Sequence, residues 1–149
     1  MIAPACPSGY PVFMPVVVAV DFGEKRIGLA TSDASGLLAT PRVTLSRKSD
    51  AAAVGALARF CRDEDAALVV FGIPRSPEGV ESAFAGRIRS FAARFERESG
   101  LPVRFHEETL TSDEAARRLP RRARKEDLDR TAAAVLLEDY LLSAGPGPR

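Results

Sequence analysis

The sequence predicts a single α/β domain built on one mixed sheet of five strands, with helices on both faces. Its 149 residues are enough for one hydrophobic core and too few for two large lobes around a cleft. The apolar patterns follow the order β-β-β-α-β-α-β-α-α, without internal repeats. Three successive strands predict an antiparallel meander, and the alternating helices and strands after it predict two parallel strands.

Five segments have the composition of strands. The run VVVAV is short and continuously apolar, which indicates a strand covered on both faces, and the FGEK turn after it predicts a hairpin. Pro41 places the third strand at an edge, because proline cannot donate a hydrogen bond to a neighbouring strand. The predicted strands are Val16–Val20, Arg26–Ser32, Leu37–Leu45, Ala67–Ile73 and Pro102–His106.

The helices are predicted from apolar residues at helical spacing. Ser49 is a typical N-cap for the first helix, and Gly100 is a typical stop for the second. Thr111 and Glu114 have the spacing of a capping box. The predicted helices span residues 49–62 and 78–98, a short segment from 111, and 128–142. Segments 1–15 and 143–149 are rich in proline and glycine, and we expect them to be flexible extensions of a domain spanning 16–142.

Composition excludes several classes of protein. The formal net charge is +1, so any contact with nucleic acid must come from a local basic patch. Cys6 and Cys61 lie far apart, without CxxC spacing or neighbouring histidines, which argues against a zinc site and favours a reduced, cytoplasmic protein. No apolar run approaches the roughly 18 to 20 residues of a membrane helix, so no membrane partner is expected.

Acidic residues stand at the ends of predicted elements. Asp21 ends the first strand, Glu107 and Glu108 follow the fifth, and Asp129 opens the last helix. Acids gathered at one end of a sheet would repel one another unless a cation lay between them, and hard oxygen ligands select Mg²⁺ or Mn²⁺. Each acid also has a structural interpretation, as a turn residue, a solvated loop or a partner of the helix dipole. Composition alone leaves both interpretations open.

Four blocks of the sequence resemble one known family. They read DFGEKRIGLATSD, VVFGIPRSPEGVES, VRFHEETLTSDEA and LDRTAAAVLLEDYL. In this order and spacing they are similar to the signature blocks of the YqgF/RuvX family, from about residue 16 to 142. The resemblance implies a ribonuclease H-like fold. It also implies a metal-dependent nuclease acting on structured RNA, in maturation of pre-16S ribosomal RNA, or a Holliday-junction resolvase acting on branched DNA.

The resemblance assigns roles to the acids. It implies Asp21, Glu108 and Asp129 as ligands of Mg²⁺ or Mn²⁺ in a two-metal mechanism, with Glu107 as a further catalytic acid. The third block usually reads Asp-Glu-Arg, and here Thr109 replaces the arginine. Strand alternation predicts that Glu107 shares a face with Val103 and Phe105 and that Glu108 lies opposite, so we expect Glu108 to be the ligand.

The basic residues form two groups. Lys25 and Arg26 match the family's Lys-Arg and are expected to position a phosphate, although a solvated hairpin turn is the alternative. The basic segment, Arg117 to Asp127, is expected to be a loop that binds the nucleic-acid backbone through Arg121, Arg122, Arg124 and Lys125, although an ordinary solvated loop is the alternative. The single histidine, His106, is interpreted as structural.

Three other functions remain as alternatives. One is a DNA junction resolvase, which needs a dimer with paired sites, so both a monomer and a homodimer are open. Another is a nucleotide-binding module of the actin-like class, which normally requires two lobes. The third is a nucleic-acid-binding protein without turnover. The sequence does not decide the substrate, the cleavage polarity, the metal or the start codon.

Overall fold

The protein forms one five-stranded mixed sheet. The computed structural model describes residues 14–75, 80–108 and 111–144. The strand order is β3-β2-β1-β4-β5, with β1, β2 and β3 antiparallel and with β4 and β5 parallel to β1. The strands are β1 (Val16–Phe22), β2 (Arg26–Ser32), β3 (Ala39–Ser46), β4 (Ala66–Pro74) and β5 (Val103–Glu108). The predicted fold class is therefore confirmed.

Helices cover both faces of this sheet. Helices α1 and α2 pack on one face, and α4 packs on the other, with α3 beside it. The bounds are α1 (Asp50–Asp63), α2 (Ala83–Ser99), α3 (Thr111–Arg118) and α4 (Lys125–Ala144). Ser49 caps α1 through a hydrogen bond from the amide of Ala52, and Gly100 ends α2 with φ of 75°, as predicted.

Several predicted boundaries differ from the observed ones. Strand β1 continues two residues past Val20, and β5 continues to Glu108, because both strands extend through polar residues that their apolar pattern does not include. Helix α4 begins at Lys125, so Asp129 lies in its second turn and does not open it. Helix α2 is capped by Ser82, and Val80, ahead of it, is exposed. The predicted helix start at Glu78 lies outside the described residues.

The termini and cysteines are only partly described. The amide of Met14 donates a hydrogen bond to the carbonyl of Ala34. The rest of the predicted extension, residues 1–13, and the tail at 145–149 lie outside the described residues, as does Cys6. Cys61 is buried in α1, where burial raises the pKa of its thiol to about 12. Across the part of the chain that the structure describes, no helix has the length and apolarity to cross a membrane.

Candidate active site

Asp21 extends from the central strand toward α4. Side chains alternate along a strand, and Val17 and Ala19 pack against α4 while Val18 and Val20 pack against α1 and α2. Asp21 therefore lies on the α4 face, near the carboxyl end of β1. It is half-buried, and it pairs with Gly28 of β2 in the antiparallel register.

Glu108 reaches the same face from the edge strand. In β5, Phe105 contacts Phe71 on the α2 face, while His106 contacts Tyr140 of α4. Alternation therefore puts Glu108 on the α4 face, as predicted. A Cβ atom added to Gly72 of β4 would lie 2.7 Å from both Cγ and Cδ of Glu108. The missing side chain at Gly72 thus makes the space that the Glu108 carboxyl occupies.

Asp129 comes from the helix above the sheet. A Cβ atom on Gly28 would overlap the carbonyl of Asp129 and lie 2.7 Å from the amide nitrogen of Arg130. Only a glycine in β2 lets the backbone of α4 approach so closely. The Asp129 carboxylate accepts a hydrogen bond of 2.6 Å from Nε of Arg26, at the start of β2.

Asp21 interacts electrostatically with both other acids. Burial, followed by repulsion from Glu108, a hydrogen bond with Glu108 and the charge of Asp129, raises the pKa of Asp21 well above its ordinary value. Burial also raises the pKa of Glu108. Asp21, Glu108 and Asp129 therefore form an acid cluster, brought together from a strand, an edge strand and a helix that are distant in sequence.

The acid cluster has the chemistry of a site for a hard divalent cation. Oε1 of Glu108 is buried and has no hydrogen-bond partner. This oxygen is therefore available to coordinate a cation close to the other carboxylates. Within residues 14–75, 80–108 and 111–144, no three His, Cys, Asp or Glu side chains are already arranged as a coordination group. Arg26 engages one oxygen of the Asp129 carboxylate, Oδ2, in an ion pair.

Glu107 lies apart from the acid cluster. Its side chain is on the α2 face, with 67% of its surface exposed, and Oε2 lies 3.9 Å from Nε of Arg75. Adjacent residues of a strand point to opposite faces, so Glu107 and Glu108 cannot both reach Asp21. The structure therefore separates Glu107 from the acids with which the sequence grouped it.

The predicted basic residues have different surroundings. Arg26 binds Asp129, so its expected contact with phosphate competes with an ion pair inside the site. Lys25 is exposed in the hairpin turn. Arg121, Arg122, Arg124 and Lys125 are exposed, and within the described part of the chain their side chains form no ion pair. Lys125 is the first residue of α4, whereas we expected it in a loop.

His106 has a structural environment. Its Nε2 lies 2.5 Å from Oδ2 of Asp139, and its ring meets the Tyr140 ring edge-on at 5.7 Å. Both partners belong to α4, so His106 ties the edge strand to that helix beside Glu108.

Sequence reasoning missed Gly28 and Gly72, which create the space for the acid cluster. The available signal was a glycine inside each of two strongly apolar strands, since such a glycine often marks the close approach of another group. The partner of Arg26 could not be identified in this way, because Asp129 is 103 residues away along the chain.

The sequence is similar to one protein family over nearly its whole length. Residues 15–143 match the family model described as RuvX, Holliday junction resolvase. A protein of Syntrophus aciditrophicus named "Putative pre-16S rRNA nuclease" is 38% identical over 84% of this chain and 87% of its own length. A protein of the same name from Maridesulfovibrio salexigens is 35% identical over 86% of this chain and 98% of its own length.

Solved structures share the fold at low sequence identity. A Thermus thermophilus RuvC in complex with a Holliday junction substrate has a TM-score of 0.59 at 14% identity, covering 91% of this chain and 99% of that one. The fowlpox virus resolvase bound to Holliday junction DNA has a TM-score of 0.55 at 14% identity, covering 87% and 99%. These likenesses show a ribonuclease H-like fold. The match over residues 15–143 and the relatives at 35 to 38% identity place this chain in the RuvX (YqgF) family of nucleases.

Proposed function

We propose that this protein is a divalent-metal-dependent nuclease that hydrolyses phosphodiester bonds of structured RNA, and that its substrate is precursor 16S ribosomal RNA. The substrate follows from the names of the relatives at 35 to 38% identity. The observation that carries the chemistry is the acid cluster, where Asp21, Glu108 and Asp129 meet over two glycines on the α4 face.

The acid cluster suits Mg²⁺ or Mn²⁺. Asp21, Glu108 and Asp129 would hold the ions, which when bound would activate water and neutralise charge on the phosphodiester. Asp21 has the central place, because it is half-buried and its pKa is raised by both other acids. Arg26 keeps Asp129 oriented, and on release from Asp129 its guanidinium is positioned to bind a phosphate oxygen.

The charged side chains outside the acid cluster have different roles. The free cations of the basic segment would hold the nucleic-acid backbone without reading its sequence. Glu107, exposed on the other face, takes no part in holding the ions.

Resolution of DNA junctions is a second candidate, because the matching family model is described as a Holliday junction resolvase. It requires two acid clusters acting on two strands, and therefore a dimer. The two candidates differ in substrate and in assembly, while the chemistry at the acid cluster is the same.

One experiment tests both candidates. Purified protein would be incubated with labelled precursor 16S rRNA and with a labelled four-way DNA junction, in Mg²⁺, in Mn²⁺ and in EDTA. We expect cleavage of the RNA with either ion, none in EDTA and none by Asp21→Asn. Symmetric nicking of the junction without RNA cleavage would replace the first candidate with the second, and metal-independent cleavage would contradict both.

A further inference from the structure

A cavity lies between α3, α4 and the segment that joins them. It has a volume of about 290 Å³. Its lining includes three apolar residues, Ala116, Leu119 and Leu128, which we call the apolar floor, and three cations, Arg121, Arg124 and Lys125, which we call the rim. None of the apolar floor residues was assigned a role by the sequence patterns.

The cations at the rim are available for a ligand. Arg117 and Arg118, in the last turn of α3, are held by Glu114 and Glu138. In contrast, the side chains of Arg121, Arg124 and Lys125 form no ion pair with any residue that the structure describes. Uncompensated cations beside apolar residues in one cavity fit a ligand with an apolar face and anionic groups on either side.

The cavity and the acid cluster each include one of two consecutive residues of α4. Leu128 immediately precedes Asp129 in α4, and consecutive Cα atoms are about 3.8 Å apart. Asp129 faces β2, while Leu128 lines the cavity. A ligand that contacts Leu128 therefore has its adjoining chemical group close to the carboxylates of the acid cluster.

We propose that this cavity binds one unpaired nucleotide of the RNA strand, next to the bond that is cut. The base would lie on the apolar floor, and the phosphates on either side would contact the cations of the rim. The volume lies just below the range of about 300 to 1,000 Å³ for small-molecule sites, which fits a single base. A base stacked within a duplex cannot enter, so the cavity selects RNA with an unpaired nucleotide.

This inference rests on the proposed nuclease function for its choice of RNA as ligand. Its test can be made without cleavage, by measuring fluorescence anisotropy in EDTA. The ligands are a fully paired RNA hairpin and the same hairpin with one unpaired nucleotide. We expect the second hairpin to bind about tenfold more tightly, since the contacts of one base are sufficient for that difference.

A matched pair of substitutions identifies the cavity as the source of the preference. Ala116→Leu partly fills the cavity without changing the charge and should bring the two affinities within about twofold of each other. Ala93→Leu makes the same change at an exposed position of α2, on the opposite face of the sheet, and should keep the tenfold preference.

Two results would overturn the inference: equal affinities of the unsubstituted protein for the two hairpins, or a full preference in Ala116→Leu. A failure of the proposed function has a different signature. The preference for the unpaired nucleotide would then persist in EDTA, while Mg²⁺ or Mn²⁺ produced no cleavage of either RNA.

Discussion

The two faces of the sheet are built differently, although alternate residues of the same strands supply both. On the α1 and α2 face, large aromatic side chains fill the core, with Phe71 at 6.1 Å from Phe91 and 6.2 Å from Phe95 between ring centroids. On the α4 face, Gly28 and Gly72 replace such side chains near the carboxyl ends of β1 and β4. The α1 and α2 face stabilises the fold by burying large apolar side chains. The α4 face has less side-chain volume at the two glycines, which leaves space for the carboxylates.

The largest effect is expected from removing one charge on the α4 face. Asp21→Asn should lower turnover by about a thousandfold or more, because it removes the central ligand of the proposed cation site. Turnover of labelled RNA under saturating Mn²⁺ measures this effect.

The neighbouring residue provides the control for the other face. Val20 is fully buried among the residues facing α1 and α2. Val20→Ala should lower the free energy of unfolding by about 2 kcal/mol and leave the turnover of the folded protein unchanged. Equal losses of turnover in the two variants would remove the functional distinction between the faces.

The two glycines allow a finer test. A Cβ at position 28 would meet the backbone of α4, so Gly28→Ala should lower the free energy of unfolding by roughly 1 to 3 kcal/mol and also reduce turnover. The three atoms nearest to a Cβ at position 72 all belong to the flexible side chain of Glu108. Gly72→Ala should therefore mainly reduce turnover, by about 10- to 100-fold.

The control for the glycine pair is Gly55, which is exposed in α1 with nothing within 4 Å of an added Cβ. Gly55→Ala should raise the free energy of unfolding by about 0.5 to 1 kcal/mol, since alanine favours helix. If Gly72→Ala behaved like Gly55→Ala in both assays, Gly72 would have no part in placing Glu108.

The sequence predicted the element order and the face of Glu108, because apolar periodicity decides both. It misplaced the ends of β1 and β5, since Asp21 and Glu108 continue their strands as polar residues that a hydrophobic pattern excludes. The pairing of Arg26 with Asp129 could not be predicted from the sequence, because it depends on how closely α4 approaches β2. Local patterns determine elements and faces, whereas contacts across the fold depend on packing.

The raised pKa values of Asp21 and Glu108 predict how stability changes with pH in EDTA. A carboxyl whose pKa is higher in the folded state binds protons more tightly there, so the free energy of unfolding falls as pH rises above about 4 and through the raised pKa. Asp21→Asn lacks the Asp21 carboxyl, so its free energy of unfolding should fall less with rising pH. At neutral pH the variant should melt at a higher temperature than the unsubstituted protein, and parallel pH curves for the two would contradict the burial of a charged Asp21.

A smaller effect is expected from the basic segment on the α4 side. Replacing Arg121, Arg122 and Arg124 together with glutamine should weaken RNA binding. Each lost phosphate contact should reduce the log–log salt slope by roughly 0.7 for single strands or 0.9 for duplex. Turnover at saturating RNA should change little, because these side chains hold the backbone and not the ions.

The α2 side supplies a control of equal charge. Arg87, Arg89 and Arg94 are each paired with an acid, namely Glu24, Glu81 and Glu98. Replacing these three with glutamine should leave the salt slope nearly unchanged. Equal slopes for both triple variants would mean that RNA does not distinguish the two faces.

The proposed cation site depends most on the assignment of Glu108, rather than Glu107, to the acid cluster. The decisive measurement is the turnover of Glu108→Gln and Glu107→Gln across titrations of Mg²⁺ and Mn²⁺. We predict that Glu108→Gln loses activity by orders of magnitude and needs more cation, because it removes a ligand charge at the acid cluster. Glu107→Gln should stay within about tenfold of the unsubstituted protein, because its side chain is exposed on the opposite face. An inactive Glu107→Gln beside an active Glu108→Gln would contradict the account.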